Sequence, residues 1–176
     1  MTANVWTAPT VERTEASNVA PERQAVDELL EFHRATFLHK CSGLTGEQLA
    51  QRGCPPSRLS LLGLVRHLAD VERSWFRTRL AGEDVGRIYD DWSTAFEVLD
   101  PARAPEDFAT YAAEVDAARE VTSRHDLDDT FDCTFSDGGT ATIDVRALLL
   151  HMIEEYARHN GHADLLRECI DGATGF

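Results

Sequence analysis

The sequence predicts an all-α fold, an antiparallel four-helix bundle with a small β-hairpin before its last helix. Three observations predict it. Val145, Leu149, Met152, Tyr156, His159, Ala163, Leu166 and Ile170 recur at 4-3-4-3-4-3-4 spacing, a continuous seam along one helix face. Leu61, Leu64, Leu68, Val71 and Trp75 form a second seam at 3-4-3-4 spacing. Two further amphipathic stretches supply the other helices, and 176 residues suffice for one domain of this kind.

In chain order, residues 1–20 are rich in Thr, Ala and Glu without periodicity, and a flexible N-terminal arm is expected there. Residues 21–176 are expected to form the helical domain. Pro21 suits the first turn of a helix. Val26, Leu29, Leu30, His33 and Phe37 then mark one face as far as about Lys40, and Ser42-Gly43 ends it. A short helical turn starts at Thr45 and stops before Pro55-Pro56. Ser60 is the expected N-cap of the second long helix and Gly82 its C-cap. Glu83 to Arg103 reads as irregular and acidic, with Asp90-Asp91-Trp92 at its centre. Pro105 opens a third long helix whose inward face is Phe108, Tyr111, Ala112, Val115 and Ala118, ending near Arg124. Thr130 to Phe135 alternates, Asp137-Gly138-Gly139 turns, and Thr140 to Ile143 is β-branched, which predicts the hairpin. Asp144 caps the last helix, which runs to about Gly172.

Composition narrows the function classes. Lys and Arg number 17 against 31 Asp and Glu, a net charge of −14. So acidic a chain lacks the basic footprint that phosphate backbones and anionic membranes require. No apolar run reaches the length of a membrane span, and the first 20 residues have no basic-then-apolar signal pattern. Cys41, Cys54, Cys133 and Cys169 form no CxxC and no close pair in sequence; they are read as reduced thiols, and a cytoplasmic protein is expected.

The last helix carries His151, Glu154, Glu155, His159 and His162. Side chains three or four apart can share one ion, whereas Glu155 and His162 are separated by about 10.5 Å of helical rise, too far for bonds of about 2.1 Å. The helix therefore offers two ligands to a metal. Glu155 and His159 are preferred among the spaced pairs, because His159 occupies a seam position and a buried imidazole needs a partner. His67, at the border of the second helix's apolar face, is the expected third ligand. Two His and one Glu leave open positions, the pattern of catalytic sites, and suit Zn²⁺ foremost, with Ni²⁺, Fe²⁺ or Mn²⁺ accepted by the same donors. A plain reading stands beside this one. Arg158 with Glu154, and Glu155 with His159, can be surface ion pairs. His151 and His162 can face solvent, His33 can be half-buried, and His39 and His125 can serve helix ends. Asp70 and Glu72 either orient the His67 imidazole or lie on the solvated face. Trp75 and Tyr156 either line a pocket or pack as core.

Leu64-Val65-Arg66-His67-Leu68-Ala69-Asp70-Val71-Glu72-Arg73-Ser74-Trp75-Phe76 and His151-Met152-Ile153-Glu154-Glu155-Tyr156-Ala157-Arg158-His159-Asn160-Gly161-His162 resemble the DinB/YfiT-like superfamily, its actinobacterial branch above all. The resemblance extends from about Ala20 to Gly172 and includes Leu44 to Leu49. It implies a four-helix bundle with a divalent metal at one end of the core, held by His67, Glu155 and His159. The thiol-dependent maleylpyruvate isomerases are similar in having Glu at the position of Glu155; no further C-terminal domain like theirs is expected here. The resemblance also implies a metal-dependent transferase or isomerase that uses a low-molecular-weight thiol. Only one of the 17 basic residues is Lys (Lys40), a skew that fits a high-GC actinobacterium and hence mycothiol.

Three functions follow as alternatives. The first is an S-transferase-like enzyme joining mycothiol to an electrophilic small molecule. The second is a non-catalytic stress-response bundle that binds a divalent metal or small molecule. The third has the histidines as packing residues alone. No nucleic-acid or membrane partner is expected, and the two seams with the Trp92 loop are compatible with a homodimer.

Overall fold

The computed structural model describes residues 5–89, 93–135 and 138–175. Asp90-Asp91-Trp92 and Asp137, which the sequence reading assigns to an acidic loop and to the hairpin turn, lie outside the described residues. Among the described residues the fold is mostly helical, with six α-helices and one two-stranded antiparallel hairpin before the last of them.

Helix α1 spans Glu22–Cys41, with Pro21 just ahead of it in the N-cap position rather than inside the first turn. The short α2, Gly46–Ala50, is closed by a capping box in which the Thr45 side chain accepts from the Gln48 backbone and the Gln48 side chain accepts from Thr45. Helix α3, Leu61–Glu72, is capped by Ser60, whose hydroxyl accepts from Gly63 N at 3.1 Å. It continues without a break as a π-helical segment, Arg73–Leu80. Between Glu83 and Arg103, where irregular chain was expected, stand the four-residue α4, Thr94–Glu97, and a 3₁₀ turn at Pro101–Arg103. Helix α5 is Ala104–Thr122. Strands β1, Thr130–Thr134, and β2, Thr140–Asp144, pair from Thr130 opposite Asp144 to Thr134 opposite Thr140. Asp144 then caps α6, Val145–Asp171, through Ala147 N at 2.7 Å, and Gly172 ends it in the left-handed conformation.

The α6 seam is buried from Val145 to Leu166, with Ile170 half-buried at its end. Helix α6 packs chiefly against α1, and α3 against α5. On α1 the expected face is turned: Leu29 is exposed, and the inward stripe is Leu30, Arg34, Phe37 and Cys41. On α5, Ala112 is exposed and Glu114 is buried instead. Both departures share a cause. Arg34 and Glu114 enter the interior because each finds an opposite charge there: Glu72 chelates Arg34, and Arg73 and Arg77 bind Glu114. The N-terminal segment is laid over the body, with Ala8 buried, its N–H donating to Leu44 O at 2.9 Å, and Trp6 set edge-on to Phe108. No described helix is long and apolar enough to cross a membrane.

Candidate metal centre

Two helices bring the candidate ligands together. Seam spacing on α6 turns His159 toward the interior, and Glu155 stands one turn before it on the same side. Helix α3 presents His67 opposite, so that the His67 and His159 rings lie 4.8 Å apart, centroid to centroid. One ligand atom from each of His67, Glu155 and His159 lies within 4.8 Å of the others. His159 Nε2 is 3.4 Å from Glu155 Oε2. Two donors each bound at about 2.1 Å to one tetrahedral ion stand about 3.4 Å apart, so this pair already has the spacing of a chelate. The side chains of His159 and Glu155 are only 11% and 17% exposed, which removes them from the class of surface ion pairs. The residues present therefore fit a divalent cation in donor type, number and approach.

The electrostatics favour the same arrangement. Burial and the neighbouring His159 hold His67 down at about 4, so its imidazole is neutral at physiological pH, as a ligand must be. A hydrogen bond from His159, aided by the neighbouring imidazoles, holds the Glu155 carboxyl below its ordinary value in spite of burial. His159 Nδ1 faces His162 Nδ1 at 3.3 Å, and burial pushes the His162 imidazole down. His162 thus touches a candidate ligand through the ring nitrogen that does not face Glu155, the place from which an imidazole is oriented.

Other residues fall differently from the sequence reading. Asp70 and Glu72 are buried and not on a solvated face. Asp70 accepts from Ile88 N, and Glu72 binds Arg34 and Tyr156. Tyr156 is fully buried and bonded to Tyr111 at 2.9 Å, a core residue. Trp75 is half-buried with its ring tilted against that of His151, centroids 4.6 Å apart, so His151 is partly covered and partly open to solvent. His151 Nε2 is 3.9 Å from Glu155 Oε1. Arg158 pairs with Glu154 at 2.6 Å on the surface, as the plain reading had it. His33 is half-buried beside Asn160, His39 meets Val11 O, and His125 pairs with Asp129. Phe96, on α4, packs against His67 at 5.4 Å; it was missed because its segment has no helical periodicity. A cleft of about 530 Å³ lies beside α3, bordered by Asp70, Arg73, Arg79, Arg87 and the hairpin's Phe135. The Arg79 guanidinium, at the border of that cleft, sits 4.7 Å over the Trp75 ring, whose other neighbour is His151.

Comparison with known proteins agrees with this picture. The family model described as mycothiol-S-transferase matches residues 25–172. A crystal structure of a conserved protein from Enterococcus faecalis has the same fold, with a TM-score of 0.59, 17% identity, and coverage of 88% of this chain and 100% of that one. No curated protein matches the chain at a significant level.

Proposed function

The chain belongs to the mycothiol-S-transferase family, and on that premise we propose that it is a metal-dependent enzyme joining mycothiol to an electrophilic small molecule. The observation that carries the proposal is the convergence of His67, Glu155 and His159, two imidazoles and a carboxylate, within 4.8 Å in a chain of that family. These three would hold the ion, Zn²⁺ foremost, in a four-helix bundle formed by residues 21–176, with residues 1–20 as an arm and the cytoplasm as its compartment. A divalent cation bound there lowers the pKa of a thiol, so that a thiolate is available at neutral pH. Three protein ligands leave room for that thiol.

The chain's own residues do the rest. Glu155 and His159 are held one turn apart on α6, with His159 Nε2 at 3.4 Å from Glu155 Oε2. His162 fixes the ring of His159. Phe96 covers one side of His67 and keeps water from it. Trp75 and His151 pack next to Glu155 and would border the bound electrophile. In the transfer the sulfur lone pair attacks the electrophilic carbon, a C–S bond forms, and the leaving group departs with its electron pair.

The test is consumption of mycothiol and a chlorobimane by protein loaded in turn with Zn²⁺, Ni²⁺, Fe²⁺ and Mn²⁺. A fluorescent thioether formed well above the uncatalysed rate, and lost in His67→Ala, is expected. No turnover with mycothiol, bacillithiol or another small thiol under any metal overturns the proposal.

A further inference from the structure

We propose that Cys54 and Cys169 form a redox-active dithiol, a modification site that a low-molecular-weight disulfide converts to an intramolecular bridge. The two residues are 115 apart in sequence, yet their sulfurs stand 2.9 Å from one another. Cys54 lies in the chain that leaves α2, and Cys169 in the last turn of α6. The backbones are already close: a Cβ at Gly53 would sit 3.0 Å from the Cys169 Cβ. A bridge needs an S–S distance of about 2.05 Å, so the sulfurs have about 0.9 Å to close, within reach of side-chain rotation.

Access and surroundings favour this pair over the other cysteines. Cys169 is exposed and Cys54 half-buried, whereas Cys41 and Cys133 are buried. Burial pushes the Cys41 thiol up to about 12, which keeps it inert. A metal-binding role for the pair lacks support, because no third His, Cys, Asp or Glu joins it among the described residues. The hydrogen bond to Cys169 and the charge of Glu168 raise the Cys54 thiol above its ordinary value.

The step balances without a further reagent. The Cys169 thiolate attacks one sulfur of R–S–S–R, and the first RS⁻ leaves with its electron pair. The Cys54 thiolate then attacks the Cys169 sulfur of the mixed disulfide and expels the second RS⁻. The two protons given up by the cysteines end on the two RSH released, and the two electrons reduce the small disulfide. The bridge ties the segment leading into α3, which carries His67, to α6, which carries Glu155 and His159. Closing so long a loop restricts the unfolded chain and raises the melting temperature.

The experiment incubates the reduced protein with glutathione disulfide, then counts thiols in denaturant and maps peptides without reductant. The four thiols of the sequence should fall to two. A Cys54–Cys169 linked peptide should appear, the melting temperature should rise by about 5 °C or more, and dithiothreitol should reverse both. Cys54→Ser should stop at a mixed disulfide on Cys169 and show no such rise. Retention of all four thiols at excess glutathione disulfide, a persistent mixed disulfide in the unaltered protein, or cross-linking between chains overturns the proposal. So does a rise of the same size in Cys54→Ser.

Discussion

At the scale of single residues, the proposed centre depends on three side chains contributed by two helices. His67→Ala and His159→Ala are each expected to abolish stoichiometric zinc binding, measured by elemental analysis after gel filtration of untagged protein. His151→Ala is expected to keep the ion. His162→Ala is expected to keep it with affinity lowered by about 10-fold, because only the orientation of the His159 ring is lost. Full retention of metal by His67→Ala would show that α6 binds it with some other helix. A pH dependence belongs to the same residues. In the metal-stripped protein His67 is held at about 4 against an ordinary 6.5, so between those values the unfolded chain binds a proton that the folded chain refuses. Stability is therefore present above pH 6.5 and is lost as pH falls toward 4, by up to about 3 kcal/mol. Burial pushes His33 down as well, and its contribution runs in the same direction. Urea unfolding at pH 7 and pH 4.5 measures the slope. An undiminished slope in His67→Ala would assign the effect elsewhere.

At the scale of elements, the regular parts of the fold were legible because spacing alone reports them. The α6 seam, its Asp144 cap, the Ser60 cap and the hairpin all appear where their residues place them. His159 was legible as a ligand candidate for the same reason: it is the one imidazole in an otherwise apolar and aromatic seam. Legibility stopped where winding or charge pairing overrides a 3.6-residue period. The seam on α3 predicts Trp75 inward, but the π-helical winding from Arg73 adds a residue to the turn, shown by Ala81 N donating to Phe76 O at 2.9 Å. Phe76 takes the buried place, and Trp75 is freed to pack against His151. No period in the sequence signals that change. Nor does spacing along the chain reveal contacts such as Phe96 on His67, or the approach of α2 to the 3₁₀ turn. That approach carries a prediction. A Cβ at Gly46 would stand 2.1 Å from the Pro101 carbonyl oxygen, a backbone atom that cannot turn aside. Gly46→Ala should destabilise by about 2 kcal/mol or more, with α2 pushed off its neighbour. Gly161, on the exposed side of α6, meets nothing within 4 Å, and Gly161→Ala should stabilise by about 0.5–1 kcal/mol through helix propensity. Chemical denaturation of the two variants compares them directly, and equal midpoints would refute the packing argument.

At the scale of the whole molecule, one polar network joins the four long helices and sets how they face one another. Arg34 on α1 donates to both oxygens of Glu72 on α3, at 2.8 and 2.7 Å. Tyr156 on α6 donates to Glu72 at 2.6 Å, and its hydroxyl meets that of Tyr111 on α5 at 2.9 Å. Glu72 is fully buried, and the charge of Arg34 is further met by Glu31 at 2.7 Å. Removing one charge from such a pair leaves the other stranded in the interior, at a cost of about 3–5 kcal/mol, whereas replacing both by apolar groups of similar size can be close to neutral. Glu72→Gln is therefore expected to destabilise strongly, and Arg34→Met combined with Glu72→Leu much less. The network has a second consequence because Tyr156 directly follows Glu155 in the chain. Its bond to Glu72 fixes the rotation of α6 against α3, and that rotation decides whether Glu155 and His159 face His67. Tyr156→Phe keeps the packing volume and removes only the hydroxyl, so its expected cost to stability is about 1 kcal/mol. If the network positions the centre, the same change should also lower zinc affinity, measured by competition with a chelator at a temperature where the variant is fully folded. A variant that loses the expected stability while binding zinc as tightly as the unaltered protein would confine the network to holding the core together.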